Sequence, residues 1–182
     1  MTTTLILGGA RSGKSRHAET LAQASGKHVI YIATAQAADG EMAERIALHR
    51  AQRNALWTTV EETHALGAAI ETRSAPECVI LVDCVTLWLS NLLFDKAANY
   101  PEVGPITPPE RFHCERESLL VALQKARGDV ILVSNEVGSG IVPSGAVSRW
   151  FVDEAGRLNQ DLARICDRAL LIVAGLPLAL KG

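Results

Sequence analysis

Short apolar runs recur along the chain, separated by longer stretches in which apolar and polar residues mix. Runs of five or six apolar, often β-branched residues are typical of strands covered on both faces of a sheet. The predicted strands are Thr3–Leu7, His28–Ala33, Trp57–Val60, Glu77–Val82, Val130–Ser134 and Ala169–Ala174. The last of these is the final strand that the pattern predicts.

The stretches between these runs are mostly rich in good helix formers. The predicted helices are Ser15–Ala24, Glu41–Arg53, His64–Arg73, Val85–Ala98, Glu110–Arg127 and Ser144–Cys166. Two segments interrupt the alternation: Asn99–Pro109, with four of the seven prolines, and Asn135–Pro143, with two glycines. Both are predicted loops. Alternating strands and helices predict an α/β protein with a mostly parallel central sheet.

Length and charge narrow the class further. The chain has 182 residues, which at roughly 150 residues per domain favours a single domain over residues 1–182. Apolar residues make up 48% and charged residues 21%, the balance of a globular protein. The net charge is −2, and a chain without a basic excess is a poor candidate for binding nucleic acid.

Membrane insertion and secretion are not expected. The first residues show no basic segment before an apolar stretch, so no signal peptide is predicted. The apolar segment Ala169–Leu180 is too short to span a bilayer, and Gly175 and Pro177 interrupt it. The four cysteines form no CxxC pair, so we expect reduced thiols in a cytoplasmic protein.

A phosphate-binding motif follows the first predicted strand. Residues 8–15, GGARSGKS, fit the pattern G-x-x-x-x-G-K-[ST], and a predicted helix comes next. In such a P-loop, backbone N–H groups point at phosphate oxygens and the helix N-terminus adds a positive dipole end. The predicted phosphate-binding residues are Gly8, Gly9, Ala10, Arg11, Ser12, Gly13, Lys14 and Ser15. Lys14 is expected to reach the β- and γ-phosphates.

A magnesium site is expected beside this loop. The Ser15 hydroxyl can ligate Mg²⁺, and a P-loop site usually includes a carboxylate at the end of a neighbouring strand. Asp83, directly after the run VILV, has that position. The alternative is that Asp83 only caps the helix predicted from Val85.

A second candidate group lies on the predicted helix 41–53. Arg45, His49 and Arg53 are spaced four apart and therefore share one helix face. A neutral imidazole between guanidinium groups can attack phosphorus while the cations stabilise the equatorial oxygens. On the residue types alone, a solvated surface helix with one histidine and a few arginines is the more common explanation.

Six segments, in this order, resemble one family. They are GGARSGKS, YIATAQ (31–36), RIALHR (45–50), LVDCVTLWLSNLL (81–93), SNEVGSGIVP (134–143) and AGRLNQDLA (155–163). Together they resemble the bifunctional adenosylcobinamide kinase / adenosylcobinamide-phosphate guanylyltransferases of cobalamin biosynthesis, over nearly the whole chain. The resemblance implies a three-layer fold of the P-loop NTPase type.

The resemblance also implies the chemistry. A γ-phosphate passes from ATP or GTP to adenosylcobinamide, and GMP then passes from GTP to adenosylcobinamide phosphate, giving adenosylcobinamide-GDP and pyrophosphate. Family members guanylylate a histidine on the way, and His49 occupies the matching position. Relatives assemble as trimers, which implies a homo-oligomer here.

The implied nucleotide site extends beyond the P-loop. Its further members are Thr34, Ala35, Gln36, Arg50, Ala51, Gln52, Arg53, Glu61 and Asp83. Some relatives carry glutamate at the position of Asp83, and the shorter aspartate favours ligation through water over direct ligation. Asn135 and Glu136 end a predicted strand, where they could touch substrate or hold the loop.

Two other functions are compatible with the P-loop. One is a simple small-molecule kinase without nucleotidyl transfer, and the other is a nucleotide-dependent switch or ATPase module that acts on a protein partner. Only the guanylyltransferase is expected to carry covalent GMP.

Overall fold

The computed structural model describes residues 1–35, 54–94 and 99–182, together with Gly40 and Glu44. The strands in this part are β1 Thr3–Gly8, β2 His28–Ala33, β3 Thr58–Glu61, β4 Cys78–Asp83, β5 Asp129–Asn135, β6 Arg168–Val173 and β7 Leu176–Lys181. The helices are α1 Lys14–Ala24, α2 Leu66–Arg73, α3 Val85–Leu93, α4 Glu110–Lys125 and α5 Ala146–Ile165.

All seven strands form one sheet in the order β3-β2-β4-β5-β1-β6-β7. The first six are parallel and β7 runs antiparallel to β6. The predicted α/β class with a mostly parallel sheet is confirmed. Since β5 lies between β1 and β4, the segment after β5 separates the P-loop from Asp83 at the carboxyl edge.

The sheet has a hydrophobic core on each face, because alternate residues of a strand point to opposite sides. Leu5 and Leu7 of β1 join α2, α3, α4 and α5 in the larger core, whereas Ile6 joins α1 in the smaller one. Helices therefore cover both faces, which gives the three layers that the resemblance implied. Trp88 is fully buried in the larger core, and Trp57 and Trp150 pack against the two cores.

Most element bounds agree with the sequence pattern to within about two residues. Helix α2 begins at Leu66 rather than His64, because Glu62 Oε1 accepts the backbone N–H groups of His64 and Ala65, each at 2.9 Å. Helix α3 ends at Leu93, short of the predicted Ala98. Residues 95–98 and nearly all of the predicted helix 41–53 lie outside the described residues.

The prediction that Ala169–Ala174 is the final strand was wrong. Strand β7 follows it through a two-residue turn in which Ala174 (φ 52°) and Gly175 (φ 79°) are both left-handed. That geometry suits a tight hairpin, but the sequence does not predict one because alanine, at the first turn position, is not a residue typical of such turns. Every residue of β7 is exposed, so the strand lacks the buried pattern that revealed the others.

Candidate functional site

The P-loop joins β1 to α1 and is closed by its own backbone. Ser12 N donates to Gly9 O at 3.2 Å, and Gly13 has a φ of 95°, which lets the chain turn into the helix. Lys14 is 9% exposed, and its Nζ donates to Gly9 O at 3.2 Å. The lysine is therefore folded over the loop, where its charge can meet phosphate oxygens bound there.

Gly8 is required by the space around it. A Cβ at this position would lie 2.4 Å from Ser12 Oγ and 2.8 Å from the backbone oxygen of Ile172. The second contact is with backbone of β6 and cannot be relieved by a side-chain rotation. At Gly9, by contrast, a Cβ would meet nothing within 4 Å.

The β6–β7 turn supports the loop from the other side. Gly175 N donates to Ser12 O at 2.8 Å, and a Cβ on Gly13 would lie 3.2 Å from Gly175 Cα. The hairpin that sequence reasoning missed thus packs directly against the phosphate-binding loop. Its signal in the sequence is the single glycine between two apolar runs.

Asp83 ends β4 and is oriented by an aromatic neighbour. Tyr31 is 1% exposed and donates its hydroxyl to Asp83 Oδ2 at 3.0 Å. The Tyr31 ring stacks on Trp57, with centroids 6.4 Å apart and planes at 23°. The cap of α3 is Cys84, whose Sγ accepts Leu87 N, so the alternative that Asp83 serves as the helix cap is wrong.

Thr34 positions the chain beside Asp83. Its hydroxyl, fully buried, donates to Cys84 O at 2.8 Å and accepts from Cys84 N at 2.9 Å. Asn91 Nδ2 donates to Thr34 O at 2.8 Å and to Thr63 O at 3.1 Å, which ties the ends of β2 and β3 together. The Thr34 side chain is thus used by the fold. Ala35 follows it, partly buried.

The pKa of the Cys84 thiol depends on its burial and on the charges around it. Burial and, to a smaller extent, the Asp83 carboxylate raise the pKa of this thiol to about 11, although Lys14 acts in the opposite direction. The thiol is therefore neutral at physiological pH. Lys14 at the start of α1 and Asp83 at the end of β4 both act on this one buried group.

A buried polar network fixes the end of β5. Ser134 Oγ donates to Asn159 Oδ1 at 2.8 Å, and Asn135 N donates to Thr86 Oγ1 at 2.6 Å. Glu136 N donates to Gly8 O at 3.1 Å, and Glu136 Oε1 accepts Gly138 N at 2.9 Å. Of the two roles considered for Asn135 and Glu136, these contacts show loop support.

The other predicted site residues are farther away or outside the described part. Glu61 is exposed at the end of β3 and pairs in register with Ala33, which pairs with Asp83. Because neighbouring strands lie about 4.8 Å apart, the Glu61 and Asp83 α-carbons are separated by about 10 Å. Gln36, His49, Arg50, Ala51, Gln52 and Arg53 lie outside the described residues.

The candidate metal ligands of the site are oxygen atoms. Ser15 and Asp83 offer a hydroxyl and a carboxylate, the donor type that Mg²⁺ prefers. Within residues 1–35, 54–94 and 99–182, no group of three or more His, Cys, Asp or Glu could hold a metal ion. Phosphate oxygens would therefore have to complete the coordination.

None of the helices in the described residues has the length and apolar character needed to cross a membrane.

Solved structures match the fold across very different proteins. A prototypical ATPase from the type III secretion system of pathogenic bacteria has a TM-score of 0.53 at 16% identity; the match covers 98% of this chain and 56% of that chain. An ATP synthase subunit, NeqB, from Nanoarcheaum equitans has a TM-score of 0.52 at 11% identity, covering 93% of this chain and 46% of that one. At these identities the likeness concerns the fold alone.

Sequence relatives give the narrower comparison. The bifunctional adenosylcobalamin biosynthesis protein CobP of Pseudomonas aeruginosa is 54% identical over 178 residues, which is 98% of this chain and 96% of that protein. The bifunctional adenosylcobalamin biosynthesis protein CobU of Escherichia coli is 44% identical over 179 residues, 97% of this chain and 98% of that protein.

A family model described as cobinamide kinase / cobinamide phosphate guanyltransferase matches residues 4–180. That span includes the P-loop, Asp83, the network around Asn135 and the β6–β7 hairpin. The chain therefore belongs to the cobinamide kinase / cobinamide phosphate guanyltransferase family and is an enzyme of adenosylcobalamin biosynthesis.

Proposed function

We propose that this chain catalyses two successive transfers with one nucleotide site. The γ-phosphate of ATP or GTP goes to the aminopropanol hydroxyl of adenosylcobinamide, and GMP from GTP goes to the resulting phosphate, with release of pyrophosphate. The observation that carries the proposal is the P-loop, with Lys14 folded over it and the Asp83 carboxylate oriented by Tyr31 at the same edge of the sheet.

In the phosphoryl transfer, the chain acts mainly by positioning charge. Backbone N–H groups of residues 8–15 hold the phosphates, and Lys14 stabilises the negative charge that develops on the β- and γ-phosphate oxygens. The substrate hydroxyl attacks the γ-phosphorus directly, so this step needs no protein nucleophile. The close packing of Gly8 and Gly175 keeps the N–H groups in place before the nucleotide arrives.

Ser15 and Asp83 are the residues that would hold Mg²⁺ with the nucleotide. When bound, the ion offsets phosphate charge. Tyr31 orients the Asp83 carboxylate by donating to Oδ2, and the stacked Trp57 ring restrains Tyr31. Thr34 keeps the backbone after Asp83 in register through its two hydrogen bonds with Cys84.

In the nucleotidyl transfer, His49 is the proposed nucleophile. An imidazole nitrogen attacks the α-phosphorus of GTP, a P–N bond forms, the bond to the bridging oxygen breaks and pyrophosphate leaves. An oxygen of adenosylcobinamide phosphate then attacks the same phosphorus and releases the histidine. Arg45 and Arg53 share the helix face of His49 in the sequence pattern and would stabilise the equatorial oxygens.

Arg50 to Arg53, together with Gln36 and Glu61, would line the nucleotide. The active form is a homo-oligomer, a trimer by family resemblance, in the cytoplasm. The net charge of −2 supports small corrinoid and nucleotide substrates rather than nucleic acid.

Covalent labelling tests the function against its alternatives. The protein is incubated with α-labelled GTP and Mg²⁺, and the label on the protein is measured after denaturing electrophoresis. We expect a labelled band that acid removes, because a phosphoramidate is acid-labile. A chain that never acquires the label would be a simple kinase or a switch. Phosphorylation of adenosylcobinamide by γ-labelled GTP would then distinguish a kinase, which transfers the label to the corrinoid, from a switch, which does not.

A further inference from the structure

A cavity of about 560 Å³ lies between helix α5 and the segment that follows β5. One wall is the segment after β5, which we call the β5–α5 loop (residues 136–145). The other wall is a single stripe of α5, because its members recur at helical spacing: Arg149, Val152, Asp153, Gly156, Arg157 and Gln160. This stripe faces away from the core that Ala155 and Leu158 enter.

The loop connects the cavity to the P-loop. Glu136 N donates to Gly8 O at 3.1 Å, so the loop starts against the phosphate-binding residues. Gly138, which lines the cavity, is two residues farther along, a chain span of at most about 7 Å. A molecule resting in the cavity would therefore lie close to phosphates held by residues 8–15.

The loop is also fixed at its far end. Arg149 NH1 donates to the backbone oxygens of Pro143, at 3.2 Å, and of Ser144. The two walls are thus tied together by the helix itself. Between these ties, the loop leaves Ile141 98% exposed and Val142 74% exposed, and Val142 lines the cavity.

The lining combines apolar contact with hydrogen-bonding groups of both kinds. Val142 and Val152 are aliphatic, Arg149 and Arg157 donate, Asp153 accepts, and Gln160 does both. A volume of about 560 Å³ suits a drug-sized molecule, so the cavity would enclose one edge of a larger ring and leave the rest in solvent. A corrin macrocycle has apolar faces and a rim of amide groups, each of which offers both a donor and an acceptor.

We propose that this cavity binds one edge of the corrin macrocycle, so that the aminopropanol arm extends along the β5–α5 loop toward the P-loop. The proposal rests on the proposed function, since it assigns a place to the second substrate of that reaction. The nucleotide and the corrinoid then occupy adjoining sites that share Glu136 as their boundary.

Gly156 makes the proposal testable. It is the cavity-lining position of α5 that carries no side chain, and a Cβ there would meet nothing within 4 Å. A larger residue would therefore project into open space without disturbing the core. Replacing a glycine inside a helix by alanine also favours the helix.

The experiment compares Gly156→Phe with Gly156→Ala as the matched control. Phosphorylation rates are measured against corrinoid concentration at saturating GTP, and the Kd for GTP is measured by calorimetry without corrinoid. For Gly156→Phe we expect the corrinoid KM to rise about tenfold or more. Gly156→Ala should stay within about twofold of the unaltered enzyme, and both variants should keep its GTP Kd.

A second variant guards against a folding defect in Gly156→Phe. Asp153 is exposed, and Asp153→Ala removes one acceptor, which should raise the corrinoid KM by about three- to tenfold. An unchanged corrinoid KM in folded Gly156→Phe, or in Asp153→Ala if the first variant does not fold, overturns the site. Failure of the unaltered enzyme to phosphorylate corrinoid would instead overturn the proposed function.

Discussion

The P-loop and the β5–α5 loop lie side by side at the carboxyl edge of the sheet but differ in how they are built. In the P-loop, Gly8 has no room for a Cβ, Lys14 is 9% exposed and Gly175 donates to Ser12 O. The β5–α5 loop is held near its ends, by Glu136 and Arg149, and leaves Ile141 98% exposed.

The difference matches the tasks of the two loops. Phosphate is small and identical in every nucleotide, so a loop preorganised for it can be rigid and can be recognised by its spacing alone. The corrinoid is large and presents many amide groups, and its binding depends on a surface assembled from a loop and a helix face. Substitutions can therefore change the preorganisation of the phosphate site and the access of the corrinoid to its surface separately.

The largest expected effect comes from removing the P-loop cation. Lys14→Ala should weaken GTP binding by about 100-fold or more and abolish both activities, because charge-assisted hydrogen bonds to the phosphates are lost. The fold should persist, since the hydrogen bond described for Lys14 Nζ is to Gly9 O of its own loop. Calorimetric titration with GTP measures the loss.

The matched control for that variant is Lys27→Ala. Lys27 Nζ lies 2.7 Å from Asp129 Oδ2 at the opposite, amino-terminal edge of the sheet. Its loss should leave GTP affinity unchanged. Equal GTP affinity in Lys14→Ala and Lys27→Ala would refute the assignment of the phosphate site.

The next effect concerns the carboxylate across β5. Asp83→Asn keeps the size of the side chain and an acceptor for the Tyr31 hydroxyl but removes the charge. We expect the rate to fall by about 100-fold and the Mg²⁺ requirement to rise. Tyr31→Phe, which keeps the charge and removes one hydrogen bond, should cost less than about tenfold. A Mg²⁺ titration that is identical for Asp83→Asn and the unaltered enzyme would exclude the metal role.

The sequence was sufficient for the parts of the fold that local pattern determines. β1, β2 and β4 were predicted because they are continuous apolar runs buried on both faces, as the structure confirms. β7 was missed because all six of its residues are exposed and the turn before it has alanine where a left-handed residue is required. Edge strands lack the burial that makes inner strands visible.

The candidate site divides in the same way. Residues 8–15 could be read from spacing, and Asp83 from its place after a strand. The supporting contacts of Tyr31 and Thr34 could not, because their partners Asp83 and Cys84 are 52 and 50 residues away in the chain. Their roles depend on β2 and β4 pairing in register, which a single sequence does not display.

A smaller effect is expected on the free energy of unfolding when glycines of the P-loop are replaced. Gly8→Ala forces a Cβ against the Ile172 backbone oxygen and should lower the free energy of unfolding by about 1–3 kcal/mol. Gly9→Ala, where the space is open, should change it by less than about 0.5 kcal/mol. Urea unfolding of both variants gives the comparison, and equal midpoints would show that the loop is not closely packed at Gly8.

The smallest effect is expected in the β5–α5 loop. A Cβ on Gly140 would lie 3.9 Å from Val137 O, an ordinary contact. Gly140→Ala should therefore change the free energy of unfolding by no more than about 0.5 kcal/mol and leave the GTP Kd unchanged. A loss as large as that of Gly8→Ala would remove the contrast between the two loops.

In the proposed function, one P-loop serves two reactions that differ in their need for a protein nucleophile. His49→Asn, with adenosylcobinamide, GTP and Mg²⁺ in one reaction, tests it most directly when both corrinoid products are quantified over time. We expect adenosylcobinamide phosphate to accumulate, because the hydroxyl attacks γ-phosphorus without help from His49, and adenosylcobinamide-GDP not to form. Formation of adenosylcobinamide-GDP at the rate of the unaltered enzyme would contradict it.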